Sequence, residues 1–557
     1  MLLKYMKKIF TALLLILLIG GCDDFLNTSL DRNATSETIA TNRGTLWSLG
    51  NAFYSPISYG FSTIDNNIFA SASDEAQQTS VSSNVLYFNK GILNEGTNPL
   101  FYQYQNCYEG IRAANYFLNY VRDGKGEDLL KLNRNVETDI YSYMRDVQSL
   151  NWYIAEAHIA KAYYYAELIK MYGGVPIIEE TIENSENEKI PRSSYEEVVD
   201  YIVKEIDNYS ADLAVNWDQY ADREGRFTLG VALAIKSRVL LYAASPLHNS
   251  EGNTDKWIKA AIAANDLIDS DELEYSLHPD YRTYFVGANS LSSRETIYAV
   301  RRGVSNTMEV NNYPIATPGG YSGVTPSHNL VSAYEYISEP DPNDPYANRD
   351  PRLHASIVTN GSTWNGRTIN QYTGGADDMS NANSSRTGYY LRKFLTDDLN
   401  LIQGQTAQHN WITFRYGEIL LNYAEAMNEA FGPTAIPEGY KLSALEALNM
   451  VRNRASVDLP EVPASSKESF RQAVKHERRV ELAFEDHRYW DLLRWKDAMQ
   501  VLNEPIIGVK VEKNGTSLDY IEYEVAERKF QERNYYLPFL RSEIVNSKGT
   551  LKQNDGY

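Results

Sequence analysis

The 557 residues predict a mostly α-helical protein interrupted by a long loop-rich insertion. Three observations carry that prediction. From Trp152 to Tyr172, apolar residues recur at spacings of three and four (Trp152, Ala155, Ile159, Ala162, Ala166, Ile169), which is the pattern of one buried helix face. Segments 228–244 and 257–268 add small residues, among them Ala232, Ala234, Ala243, Ala260 and Ala264, that permit close helix–helix contact. Between 276 and 410 the helical periodicity fades while Gly, Asn, Ser, Thr and Pro become frequent.

Taken in order, residues 1–21 read as a signal peptide. Lys4, Lys7 and Lys8 precede an apolar run, Ile9 to Ile19, too short to cross a membrane as a helix. Ile19-Gly20-Gly21-Cys22 sets a cysteine directly after small residues, as a bacterial lipobox does, so Cys22 is the expected acylation site. The mature chain, 22–557, is expected to form a single domain. Trp47–Tyr54 looks helical, 55–99 reads as a long loop region, and Phe101–Arg122 is a helix. Cys107 shares an apolar stripe with Ile111, Ala114, Leu118 and Val121, which makes it a small buried hydrophobe. With Cys22 acylated, it is the one free cysteine and can form no internal disulfide. Gly173-Gly174-Val175-Pro176 stops the 152–172 helix. Ser193 or Ser194 then caps a helix near 195–209, with Glu196 and Glu197 in its first turn. Thr296–Val300 reads as a strand, 303–329 and 360–388 as loops, and Asn329–Tyr336 as a short helix. Helices return at Tyr416–Ala430, Ser443–Ala455 and from Ser466 onward. The helical scaffold therefore covers about 45–275 and 411–500, and the insertion about 276–410, an arrangement that mounts a binding surface on a rigid frame. The helix–turn–helix texture is that of tetratricopeptide-type repeats, without a regular period.

The stretch Glu477–Asp497 stands apart. It has neither Gly nor Pro, so a helix is expected through most of it. Glu477, Arg478, Arg479 and Glu481 crowd one margin, where carboxylates four residues apart repel unless arginines lie between them. The expectation is a structural ion-pair network, partly buried and closed by Tyr489, Trp490 and Trp495. An enzymatic reading would use Glu477, Glu481, Glu485 and His487 as acids and bases.

Charge and motifs narrow the function classes. A formal charge of −20 argues against nucleic acid and against electrostatic docking on anionic lipid. There is no GxGxxG or GxxxxGK[ST] loop, no His-Glu-x-x-His and no Gly-x-Ser-x-Gly elbow, so no nucleotide site, zinc site or serine nucleophile is expected. The acidic turn Asp341, Asn343, Asp344 and Asp350 offers oxygen ligands for Ca²⁺ but lacks EF-hand spacing, and reads as a solvated turn. No cofactor and no metal are expected, with Ca²⁺ at that turn as the open alternative. Asp74-Glu75 is the best loop carboxylate pair for glycoside hydrolysis, and reads more readily as a loop brace.

Several stretches together resemble the SusD/RagB family of Bacteroidetes surface lipoproteins. They are Ser73-Asp74-Glu75; Tyr108 to Asn115; Ala155 to Pro176; Thr325-Pro326-Ser327 with Asn329-Leu330-Val331; Asp350-Pro351-Arg352; Arg415-Tyr416 through Asn428-Glu429; Asn449 to Ala455; and 477–497. The resemblance implies a SusD-like fold with tetratricopeptide-like repeats. It further implies a non-enzymatic, lipid-anchored protein on the outer face of the outer membrane, which binds an oligosaccharide and passes it to a SusC-like TonB-dependent transporter. A RagB-type peptide binder and a surface glycosidase are the alternatives. The ligand site is expected in loops, because the helix faces are committed to packing. The loop aromatics and amide chosen for it are Tyr87, Phe88 and Asn94 in one region, and Tyr313 and Tyr321, with Tyr284 upstream, in the other.

Overall fold

The amphipathic stripes fold as helices in the computed structural model, which describes residues 43–181, 189–220 and 223–557. Cys22 and the signal segment lie outside the described residues. The helices are α1 (Arg43–Ala52), α2 (Phe101–Val121), α3 (Lys125–Lys131), α4 (Ile140–Tyr172), α5 (Tyr195–Tyr209), α6 (Leu229–Ala244) and α7 (Thr254–Ile268). Further on come α8 (Tyr416–Phe431), α9 (Ala444–Arg452), α10 (Lys467–Glu481) and α11 (Arg488–Arg494). Helix α4 begins before Trp152 because nothing in 140–151 breaks a helix. The extension has little to bury, and Tyr141 and Met144 are exposed. Its end is as expected: Gly173 has a positive φ of 70° and donates its N–H to the Ile169 carbonyl at 3.0 Å. Ser194 caps α5 in a reciprocal capping box with Glu197.

Each scaffold helix packs on the next. Helix α2 lies on α4, α4 on α5, α5 on α6, α6 on α7, α7 on α8, and α8 on both α9 and α10. Alanines make those contacts close, and Ala157, Ala160, Ala162, Ala232, Ala261 and Ala264 are fully buried. Such a line of nearest-neighbour contacts is how stacked helical repeats build a core.

The insertion has its own core. Tyr281, Tyr284, Tyr313, Trp364, Tyr389 and Leu391 pack together and are sealed by Phe61, Val480, Ala483 and Phe484 from outside it. Short antiparallel pairs tie it to the frame. Strand β1 (Ala76–Gln78) pairs with β3 (Val324–Pro326), and β2 (Thr296–Arg301) pairs with β4 (Asn410–Arg415). Past the signature stretch, β5 (Ile506–Asn514) and β6 (Ser517–Ala526) form a hairpin.

One expectation about the signature stretch is corrected. Helix α10 stops at Glu481, and the chain turns through Phe484 and Asp486, whose φ values are 67° and 64°. A buried phenylalanine with positive φ is a strained backbone position, worth about 1–3 kcal/mol, and persists only where its surroundings impose it. Here the Phe484 ring is fully buried and its N–H donates to Glu75 Oε1 at 3.3 Å.

Candidate functional site

Two constructions deserve comparison as sites: the charged network under the signature stretch, and an open cleft between loops and α2. The network is buried except at Arg479, which is partly exposed. Glu481 accepts from Arg352 at 2.8 Å, Arg415 at 2.8 Å and Arg454 at 2.8 Å. Glu477 meets Arg352 at 2.5 Å and Arg452 at 2.9 Å. Arg478 binds Asp491 at 3.0 Å, and Arg479 binds Asp74 at 2.6 Å. The arginines that neutralise Glu477 and Glu481 are therefore not their helix neighbours Arg478 and Arg479. They come from distant elements, because a buried carboxylate needs donors converging on its oxygens from outside its own helix. Burial raises the Glu481 carboxyl, but Arg454, Arg415 and Arg352 together hold it well below the usual carboxylate range. Burial pulls Lys393 down to about 8, opposed by Glu485 at 2.7 Å. Glu477 and Glu481 are spent on arginines, while Glu485 and His487 are buried and line a small cavity of about 60 Å³. Asp74 also meets Arg488 at 2.7 Å, which makes Asp74-Glu75 the brace between the early loop and the signature turn.

The cleft encloses about 700 Å³ and is open to solvent. Its walls are the loop 55–66, residues 96–99, Asn84, Tyr87, one face of α2 and Arg302 just past β2. Tyr59, Tyr87 and Tyr102 supply rings, and Asn66, Asn84, Gln103 and Asn106 supply amides. Tyr102 is 76% exposed. Tyr59 is held by a bond from its hydroxyl to the His409 carbonyl at 3.3 Å and by the edge of Phe61 at 5.3 Å between centroids. Burial pushes its hydroxyl up to about 12. The following Gly60 lies under Trp411, where a Cβ would come within 2.1 Å of the indole, so only glycine lets the loop sit this deep. Asp65 and Asn66, both with positive φ, form the tight turn closed by Ile64 and Asn67. The Asp65 carboxylate then accepts from Ser83 Oγ, Asn84 N and Asn84 Nδ2, each at 2.7 Å, and pins the second loop to the first.

A second cleft, of about 580 Å³ beside β2, is lined by charges already closed on one another, including Arg301–Glu224 and Arg294–Glu274. The first cleft is the better binding candidate because its rings and amides face solvent.

Of the loop residues chosen from sequence, Tyr87 lines this cleft. Phe88 does not: it is buried against Phe69 and Tyr489. Tyr284 is buried with its hydroxyl on Thr296 Oγ1 at 2.8 Å. Tyr313 is buried edge-on against Trp364, its hydroxyl donating to the Thr396 carbonyl and accepting from Leu399 N. These three rings are core, because the loops that carry them fold back on each other and satisfy each tyrosine hydroxyl. Asn94 spends its side chain on its own turn, accepting from Gly96 N and donating to the Ile92 carbonyl. Tyr321 is 61% exposed, on a segment hydrogen-bonded to Val310. The acidic turn closes on itself through Asp341–Asn343, while Asp350 is buried on Arg352. Among the described residues no group of three or more His, Cys, Asp or Glu side chains is placed to hold a metal ion. The expectation of a loop-only site missed Tyr102, Asn106 and Glu109. Their spacing along α2 is itself a signal, since it marks a polar stripe opposite the Cys107–Ile111 face.

Comparison with known proteins bears on the family and the frame. A family model described as "SusD family" matches residues 292–557, and another described as "Starch-binding associating with outer membrane" matches 24–241. The chain belongs to the SusD/RagB family. The crystal structure of a SusD-like protein from Bacteroides fragilis matches with a TM-score of 0.77 and 25% identity, over 95% of this chain and all of that one. A SusD-like carbohydrate binding protein from the same species matches at a TM-score of 0.73 and 23% identity, over 91% of this chain and 99% of that one. SusD-like protein P2 of Formosa agariphila is 23% identical over 74% of this chain and 75% of its own length. The mostly α SusD-like fold expected from sequence is thus the observed one. Among the described residues no helix is long and apolar enough to cross a membrane.

Proposed function

We propose that this SusD/RagB-family protein is a cell-surface glycan-binding lipoprotein. It captures oligosaccharides in the Tyr59–Tyr87–Tyr102 cleft and delivers them to a SusC-like TonB-dependent transporter. The observation that carries the reading is the cleft itself: tyrosine rings among amides, on a frame shared with a protein described as carbohydrate binding. Tyrosine rings lie against the apolar faces of sugars, and convergent amides bond the hydroxyls. No chemistry is assigned to the protein, since its clustered carboxylates serve as braces. Cys22 carries the lipid in this reading, and Tyr321 is an exposed ring outside the cleft lining.

Calorimetry against a panel of neutral and charged oligosaccharides tests it. Stacking on an aromatic ring contributes about 1–3 kcal/mol in nucleic-acid complexes, and sugar stacking is taken at or below that range. Tyr102→Ala is therefore expected to weaken binding about tenfold with an unchanged melting temperature. Binding of peptides and of no glycan would overturn the reading in favour of a RagB-type role.

A further inference from the structure

Three charged side chains line the cleft: Asp65, Glu109 and Arg302. Their states differ. Asp65 has both carboxylate oxygens occupied by Ser83 and Asn84. Glu109 projects from α2 and is exposed. Arg302 lies with its guanidinium carbon 4.6 Å from the centre of the Tyr59 ring, and no carboxylate reaches it within ion-pair distance among the described residues. Its chain neighbour Arg301 is paired with Glu224. The carboxylate on α2 comes from a different element of the wall, and the buried Glu309 nearby is spent on His409 at 3.0 Å and on Thr396 N at 3.1 Å.

We infer that Arg302 is the specificity-determining residue of the cleft and that the glycan it admits carries an anionic group, a carboxylate or a sulfate ester. The inference rests on the glycan reading above. The Tyr59 ring packs against the guanidinium of the exposed Arg302, whose N–H donors match an anionic acceptor in the two-pronged manner that a lysine cannot reproduce. A neutral sugar leaves that cation without a counter-charge. The net charge of −20 repels an anion at long range, but distant charges are screened beyond about 8–10 Å at physiological salt, so contact with Arg302 decides.

The test uses oligosaccharides in matched pairs. Oligogalacturonate, oligomannuronate and oligoglucuronate are each titrated beside their carboxyl-reduced forms, and a sulfated galactan oligosaccharide beside its desulfated form. At least one acidic member is expected to bind tenfold or more tightly than its neutral partner, and the pair that shows it distinguishes carboxylate from sulfate. Arg302→Gln should bring that ratio below twofold without lowering the melting temperature, and Arg302→Lys should recover only part of it. Equal binding of acidic and neutral members overturns the inference while leaving the glycan reading standing. So does a ratio that survives in Arg302→Gln. Binding of no glycan, with peptides bound instead, overturns both.

Discussion

Glu481 shows what a single residue does here. It is fully buried among Arg352, Arg415 and Arg454, so its removal leaves cationic groups short of a counter-charge in a site closed to bulk solvent. Glu481→Ala is expected to cost about 3–5 kcal/mol of stability, read by chemical denaturation. A variant as stable as the parent would mean that Glu295, which pairs with Arg415 at 2.7 Å and Arg454 at 2.6 Å, and Glu485, which pairs with Arg415 at 2.7 Å, suffice to neutralise the cluster. Glu75 gives a different signature. Burial, with Asp74 beside it, pushes its carboxyl from 4.5 up to about 8. The folded state therefore binds a proton that the unfolded chain releases. The stability this gives is complete below about pH 4.5 and is lost as pH rises through about 8. Glu75→Gln cannot ionise, so its melting temperature should fall less between pH 4.5 and 8 than that of the parent. Parallel curves in a calorimetric pH series would show that Glu75 does not ionise on unfolding. Neither effect was legible in sequence beyond the clustering of charge, because the partners of Glu481 and Glu75 lie in other elements.

At the scale of elements, helix stripes are legible in the sequence and the facing of loop side chains is not. A helix announces its buried face every three or four residues, whereas a loop tyrosine carries no periodicity that says whether it faces core or solvent. Tyr313 is core only because Trp364, from another loop, closes on it. The break after Glu481 was equally hidden, since Phe484 takes a backbone conformation that its own preferences oppose. Helix packing makes a sharper prediction at Gly110. An added Cβ there would lie 2.1 Å from Tyr164 Cε2, and the Tyr164 hydroxyl is tied to the Phe53 carbonyl at 2.6 Å, so the ring cannot swing aside. Alanine gains up to about 1 kcal/mol of helix propensity over glycine, while overpacking costs about 1–3 kcal/mol. Gly110→Ala is expected to be destabilising in urea denaturation, and a stabilised variant would show that α2 moves away from α4 without strain.

At the scale of the molecule, the reading joins a lipid anchor to a cleft-bearing ectodomain. Cys22→Ala should abolish incorporation of labelled palmitate and move the protein from the membrane fraction to the soluble one. A wild-type protein that takes up no label would refute the anchor. The sequence by itself determined the helical frame, its repeat-like packing, the charged signature stretch and the family, because periodicity, caps and motifs are local properties of a chain. It also picked out Tyr87, which lines the cleft. The tertiary structure alone decided which aromatics face solvent and that, among the described residues, no carboxylate reaches Arg302 within ion-pair distance. Tyr59, Tyr102 and Arg302 come from a loop, a helix and a strand end far apart in sequence. Their meeting follows from how the loops fold over Trp411 and onto α2, and burial of one ring or exposure of another is a property of that packing.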